Sequence, residues 1–138
     1  MEEAAIVVML KDQTTGFLDK ELGCYTVAEG AENVFQVYAA EKENEIRVVL
    51  KLTCEKELSD WEYDAVFDYY DMETLAALVD SIEEEEGHFN PVWKTEFSFS
   101  QEADQMEEKL SAILEAHKRE LDSVYEVIAD KRDDYCEE

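Results

Sequence analysis

The sequence predicts an α+β domain: an antiparallel sheet of about five or six strands, a short helix over about 72–86, and a long C-terminal helix over about 101–134 packed on one sheet face. Three observations carry this. The first half holds β-branched and aromatic runs of strand length, of which Ile46–Cys54 alternates most cleanly. From Gln101 to Asp134 there is neither glycine nor proline, and apolar residues recur at helical spacing. The 138 residues, 46% hydrophobic, suffice for one domain with its own core.

Ala4–Leu10 is a continuous apolar run, the pattern of a central strand covered on both faces. The stretch from Asp12 to Gly16 has turn composition. Phe17–Val27 is interrupted by Gly23, and Leu22, Tyr25 and Val27 do not share a parity, which predicts a bent or bulged strand. Residues 34–40 fit helical spacing as well, but their β-branched and aromatic density and the polar run Glu41–Glu45 favour a hairpin into Ile46–Cys54.

Trp61–Asp71 alternates aromatic and acidic residues. Trp61, Tyr63, Ala65, Phe67 and Tyr69 fall on one parity; Glu62, Asp64 and Asp68 fall on the other. Period 2 predicts a strand over 61–70, antiparallel to Ile46–Cys54, with Arg47 and Lys51 facing its acids. Asp71 is then the N-cap of helix Met72–Glu86, whose stripe is Leu75, Leu78, Val79 and Ile82 and which Gly87 closes. This puts Glu83–Glu86 at the unfavourable end of a macrodipole. Pro91 opens strand Val92–Phe99, and Ser100 caps the last helix.

The stripe Met106, Leu110, Ile113, His117, Leu121, Val124 and Ile128 has a mean step near 3.6, so it describes a straight amphipathic helix and not a supercoil. About 34 residues at ~1.5 Å rise span roughly 50 Å, against a radius of gyration of roughly 14 Å for a compact chain of this size. A break in the helix, or a homodimer contact through it, is therefore expected.

The net charge is −25, from 37 acids and 12 bases. A field of that sign repels nucleic acid and anionic membrane surfaces and is compatible with a basic protein or peptide, with divalent cations, or simply with high solubility. Residues 55–90 hold thirteen acids against one base, Lys56, which makes them the strongest source of that field. Cys24, Cys54 and Cys136 are an odd set without Cys-x-x-Cys spacing, which argues against a disulfide framework or zinc site. The opening Met-Glu-Glu has the wrong charge for a secretory signal, and Ala4–Leu10 is too short to span a bilayer, so a cytoplasmic location is expected.

No catalytic signature is present, and no cofactor is expected: the glycines Gly16, Gly23, Gly30 and Gly87 form no phosphate loop. His117 lies on the apolar stripe and reads as a packed or boundary residue. His88 could join Glu83–Glu86 around a hard cation, although no calcium-loop pattern is present. On a strand, Asp64 and Asp68 would stand ~13 Å apart, too far for a paired-carboxylate hydrolase, whereas Glu62 and Asp64 at ~6.6 Å would fit the inverting range. The plain reading of these acids is a solvated sheet face, and that of the aromatic parity is core.

The functional reading is a non-enzymatic acidic interaction module, self-associating through the long helix and binding a basic partner. Its candidate contacts are Asp60, Glu62, Asp64, Asp68, Tyr70, Glu83, Glu84, Glu85 and Glu86, with Tyr70 expected to be the exposed aromatic. The alternative is a carboxylate-based or metal-dependent hydrolase. The segments Thr14–Leu18, Asp60–Tyr63 with Phe67–Asp71, and Phe89–Trp93 resemble a small bacterial family of domains of unknown function, over nearly the whole chain. The resemblance implies no activity, substrate or site.

Overall fold

The computed structural model describes residues 4–12, 14–27, 30–54, 58–88 and 90–131. Lys56, Phe89, Cys136 and the predicted end of the last helix beyond 131 lie outside them. The order of elements is β1 (Ala4–Lys11), β2 (Leu18–Val27), a 3-10 turn (Ala31–Asn33), β3 (Val34–Lys42), β4 (Glu45–Leu52), α1 (Asp60–Tyr69), α2 (Glu73–Ala76), β5 (Ser81–Glu85), β6 (Val92–Ser98) and α3 (Ala103–Ile128). One six-stranded sheet runs β2-β1-β3-β4-β6-β5. It is antiparallel except where β1 meets β3 in parallel. The α+β architecture is the one the sequence predicts.

Local chemistry accounts for the connections. The Asp12 carboxylate accepts the Thr14 and Thr15 amides at 2.7 and 3.0 Å, closing the first turn. The register of β1 on β2 slips between Val8↔Gly23 and Met9↔Glu21, so the bulge lies beside the glycine, as expected. The β3–β4 hairpin turns through Glu43 and Asn44, both with positive φ, as a two-residue primed turn requires.

The register assigns the faces of the sheet. Leu52–Trp93–Glu84, Val37–Leu50–Thr95–Ile82 and Ala39–Val48–Phe97 are rows on one face; Gln36–Lys51–Lys94–Glu83, Tyr38–Val49–Glu96 and Ala40–Arg47–Ser98 are rows on the other. α3 lies on the first face, where Met106, Leu110, Ile113, Leu114, Leu121, Val124 and Ile128 are buried with Val8, Leu50, Leu52, Trp93 and Phe97. The second face is open, and β1 is correspondingly covered on one side only. Ile6 and Val8 are buried but Val7 is 40% exposed, which corrects the expectation of a strand covered on both faces.

The expected strand 61–70 is helix α1. A capping box decides it: Glu62 Oε1 accepts from the Ser59 amide at 3.0 Å and from its hydroxyl at 3.1 Å. The alternating aromatics then serve as i, i+4 neighbours, and the Tyr63 and Phe67 rings meet edge-on at 5.2 Å. The strand beside Ile46–Cys54 is β6, not 61–70. Arg47 and Lys51 accordingly reach acids on β5, β6 and the turn before β5. Arg47 binds Glu96 at 3.1 Å and Asp80 at 2.6 Å, and Lys51 binds Glu85 at 3.2 Å.

The expected helix 72–86 is also corrected. Only Glu73–Ala76 is helical, and Ser81–Glu85 is an edge strand paired to β6. The N-cap of that short helix is Met72 and not Asp71, whose carboxylate accepts the Glu73 amide at 3.0 Å from one residue further out. Glu83–Glu86 therefore does not sit at a helix end; pairing with β6 and the bases of the open face override its helix propensity.

α3 starts at Ala103, with the Ser100 hydroxyl accepting the Glu102 amide at 3.2 Å. Its 26 residues, about 39 Å at ~1.5 Å each, are shorter than expected. Ile128 is buried within the chain, so the end of the stripe that was to seek a second copy is covered by the domain itself.

Candidate acidic interaction site

Of the nine candidate contacts, the fold gathers four. Asp64 and Asp68 lie one helical turn apart on α1 and share a face, so the strand-based separation of ~13 Å does not apply. The end of α1 is anchored over Trp93: the Phe67 ring meets the indole edge-on at 5.4 Å, and Tyr70 stacks on it at 4.2 Å. Glu84 stands opposite Trp93 on β5, on that same sheet face. Asp68, Glu84 and Glu86 are thus neighbours. Partial burial raises the Glu84 carboxyl above the usual range, and the charges of Glu86 and Asp68 raise it further. Tyr63 is raised by burial, then by Glu86 and by the adjacent Asp64, which brings Glu86 close to α1.

The other five are placed elsewhere. Asp60 is exposed in the first turn of α1, a favourable place for negative charge. Glu62 is occupied by the cap, and on a helix it points away from Asp64, so the hydrolase-like spacing of the two is lost. Glu83 and Glu85 face the open side of the sheet. Glu85 Oε2 lies 2.6 Å from His88 Nε2 and Oε1 3.2 Å from Lys51 Nζ. The hydrogen bond with His88, outweighing burial, and the lysine hold the Glu85 carboxyl below the usual range. His88 does meet the acidic run, but a lysine already occupies the shared carboxylate. Among the described residues no group of three or more His, Cys, Asp or Glu side chains is arranged to hold a metal ion.

Tyr70 is the plain correction. It was expected at the surface and is 6% exposed. Its hydroxyl lies 2.8 Å from His117 Nδ1, and His117 Nε2 donates to the Thr53 carbonyl at 2.7 Å. The exposed aromatic of the stretch is Tyr69, at 42%.

Sequence reasoning missed a second acidic feature at the opposite edge of the sheet. An open groove of about 770 Å³ lies along α3 beside Thr26 of β2, lined by Thr26, Asp104, Glu107, Glu108, Ser111, Ala112 and Glu115. The signal was present as spacing: residues 104, 108, 111 and 115 advance by 4, 3 and 4 and so share one helix face.

A family model matches residues 1–136. The chain belongs to the family of unknown function DUF6762. No curated protein and no solved structure matches it. Membership of DUF6762 assigns no chemistry, so the geometry alone carries the functional argument. Among the described residues, no helix is long and apolar enough to cross a membrane.

Proposed function

We propose that this DUF6762 protein is a non-enzymatic interaction module that binds a basic protein or peptide through its acidic surface. One observation supports this most. Asp64 and Asp68 on α1, Glu84 on β5 and Glu86 just beyond it, distant in sequence, form one like-charged group, in which Glu86 and Asp68 both raise the Glu84 carboxyl. Like charges held together are destabilising within a domain, and a cationic partner relieves that repulsion.

A cytoplasmic setting accords with neither Cys24 nor Cys54 forming a disulfide. Self-association through α3 would have to use its outer face, where Val127 is 42% exposed. The rival hydrolase reading has less to draw on, since Glu62 caps α1 and Glu85 is held by Lys51 and His88.

The test is titration with a cationic globular probe such as cytochrome c, at low and high salt. Binding is expected to weaken with salt, because exposed charges are screened beyond ~10 Å at 0.1 M. Replacing Asp64 and Asp68 by Asn and Glu84 and Glu86 by Gln is expected to weaken it at least tenfold. Salt-insensitive binding, or an unchanged quadruple variant, rejects the assignment.

A further inference from the structure

We infer that the groove between β2 and α3 accepts an extended, lysine- or arginine-rich segment, which adds to the free edge of β2 as a seventh strand. This goes beyond the α1–β5 surface and stands on separate observations.

The first is the edge itself. β2 spans Leu18–Val27 and, among the described residues, pairs only with β1, so along its outer side every second residue turns its backbone N–H and C=O away from the sheet. The second is a direct sign of an acceptor position on that edge. The Thr26 amide is outside the β1 ladder and donates instead to Glu107 Oε2 at 3.0 Å. A carboxylate from α3 therefore stands where the carbonyl of an added strand would stand. The third is placement. Thr26 on the edge and the acidic face of α3 border one broad, open depression, so α3 lies beside an incoming strand.

Charge selects the occupant. Asp104, Glu107, Glu108 and Glu115 line the groove, with Thr26 and Ser111 as hydroxyl partners and no base among the lining residues. A second copy of a chain with net charge −25 would bring acid against acid. An extended segment with a cation at every second position instead presents one row of charges to α3 while its backbone pairs with β2. Main-chain hydrogen bonds then supply affinity and the carboxylates supply selectivity and fast association. Binding would exchange the Glu107 contact for a strand carbonyl and free that carboxylate for the incoming cation.

The probe is a labelled, end-capped hexapeptide alternating lysine and valine, titrated into the full chain. Two further peptides carry N-methyl groups on all lysine amides or on all valine amides, so that each blocks one edge. Strand addition predicts that one methylated peptide binds like the parent and the other at least tenfold more weakly. Identical behaviour of the two overturns it, because attraction by charge alone ignores which edge is blocked. The site is tested by Glu108→Lys with Glu115→Lys, against Asp64→Lys with Asp68→Lys, which makes the same change in net charge at the opposite edge. Both pairs are exposed, and circular dichroism confirms that each variant is folded. The groove pair is expected to weaken the parent peptide at least tenfold and the α1 pair less than threefold; equal or reversed effects overturn the placement. Amide exchange at Thr26 should slow in the complex. Sedimentation of the chain alone as a dimer that excludes the peptide would overturn the proposal in favour of a second copy in the groove. The cationic-protein test of the α1–β5 surface uses other residues, so either reading can fail without the other.

Discussion

The Tyr70 hydroxyl donates to His117 Nδ1 across 2.8 Å in the centre of the core, and through this pair the end of α1 is tied to α3. Nε2–H of the same ring donates to the Thr53 carbonyl at 2.7 Å, just beyond β4. Three elements thus meet on one imidazole with no exposed surface, flanked edge-on by Trp93 at 5.3 Å. Only the neutral ring can accept from the hydroxyl while donating to the carbonyl. Burial pushes the His117 pKa down from 6.5 to about 4, against the hydrogen bond to Thr53, which raises it.

This depression has a sign in stability. Between pH 6.5 and about 4 the unfolded chain takes up a proton at this histidine and the folded chain does not. The contribution is therefore full above pH 6.5, falls as pH falls, and is exhausted near pH 4; by linkage it is about 3 kcal/mol. Urea midpoints measured at pH 7 and pH 4.5 for the parent and for His117→Gln isolate it from the many carboxylates, which both proteins share. The parent is expected to lose more stability than the variant, and parallel profiles would refute this. Tyr70→Phe, which leaves Nδ1 buried without its donor, is expected to lose about 1–3 kcal/mol at pH 7.

Arg47 organises the open face. It reaches Glu96, Asp80 and the Ser98 hydroxyl, and its side chain is 15% exposed. Burial alone would raise the Glu96 carboxyl, but Arg47 and Lys42 outweigh it and hold that group low. Arg47→Ala is expected to reduce unfolding free energy by about 1–3 kcal/mol, because the partly buried Glu96 carboxylate loses a donor. Arg47→Lys should recover only part of it, since one ammonium cannot serve acceptors in three directions. Chemical denaturation of both variants decides it; full recovery by lysine would reduce Arg47 to a point charge.

At Glu84 stability and binding are opposed. Its folded carboxyl is raised by burial and then by Glu86 and Asp68, so its charged form is disfavoured at neutral pH and the fold gains as pH falls through its raised pKa. Glu84→Gln is expected to raise the melting temperature at low salt while weakening the cationic probe. A variant that binds normally and melts no higher would show that the charges do not act together.

Gly30 meets two constraints that can be separated. Its φ is +91°, and a Cβ there would lie 2.9 Å from Leu114 Cβ and 3.1 Å from Leu114 O on α3. Gly16 has φ +79° with open space around it. Gly16→Ala should show only the backbone penalty, about 1 kcal/mol. Gly30→Ala should lose distinctly more, because α3 must shift as well. Thermal melting of the pair tests this, and equal losses would mean that α3 yields freely.

Much of the architecture was legible in short stretches of sequence. The alternation of Ile46–Cys54, the bulge by Gly23, the hairpin at Glu43–Asn44 and the stripe from Met106 to Ile128 each arise from contacts whose period the sequence displays. The placement of His117 in the core followed from the same stripe. Trp61–Asp71 was misread although its cue was local: aromatics at every second position also stand four apart, and the Ser59–Glu62 capping box selects the helix.

Other outcomes had no local cue. Ser81–Glu85 has helical composition, and only pairing with β6, with Lys51 and Arg47 waiting on the open face, makes it an edge strand. Tyr70 is buried because α3 brings His117 to it from 47 residues away. The gathering of Asp64 and Asp68 with Glu84 and Glu86, and the groove of Glu107 and Glu108 beside Thr26, likewise exist only once the sheet order is set. Periodicity reports which face of an element is buried, and it did so here for most elements. Which elements become neighbours is decided by long-range pairing and packing, and in this protein both acidic sites lie at such junctions.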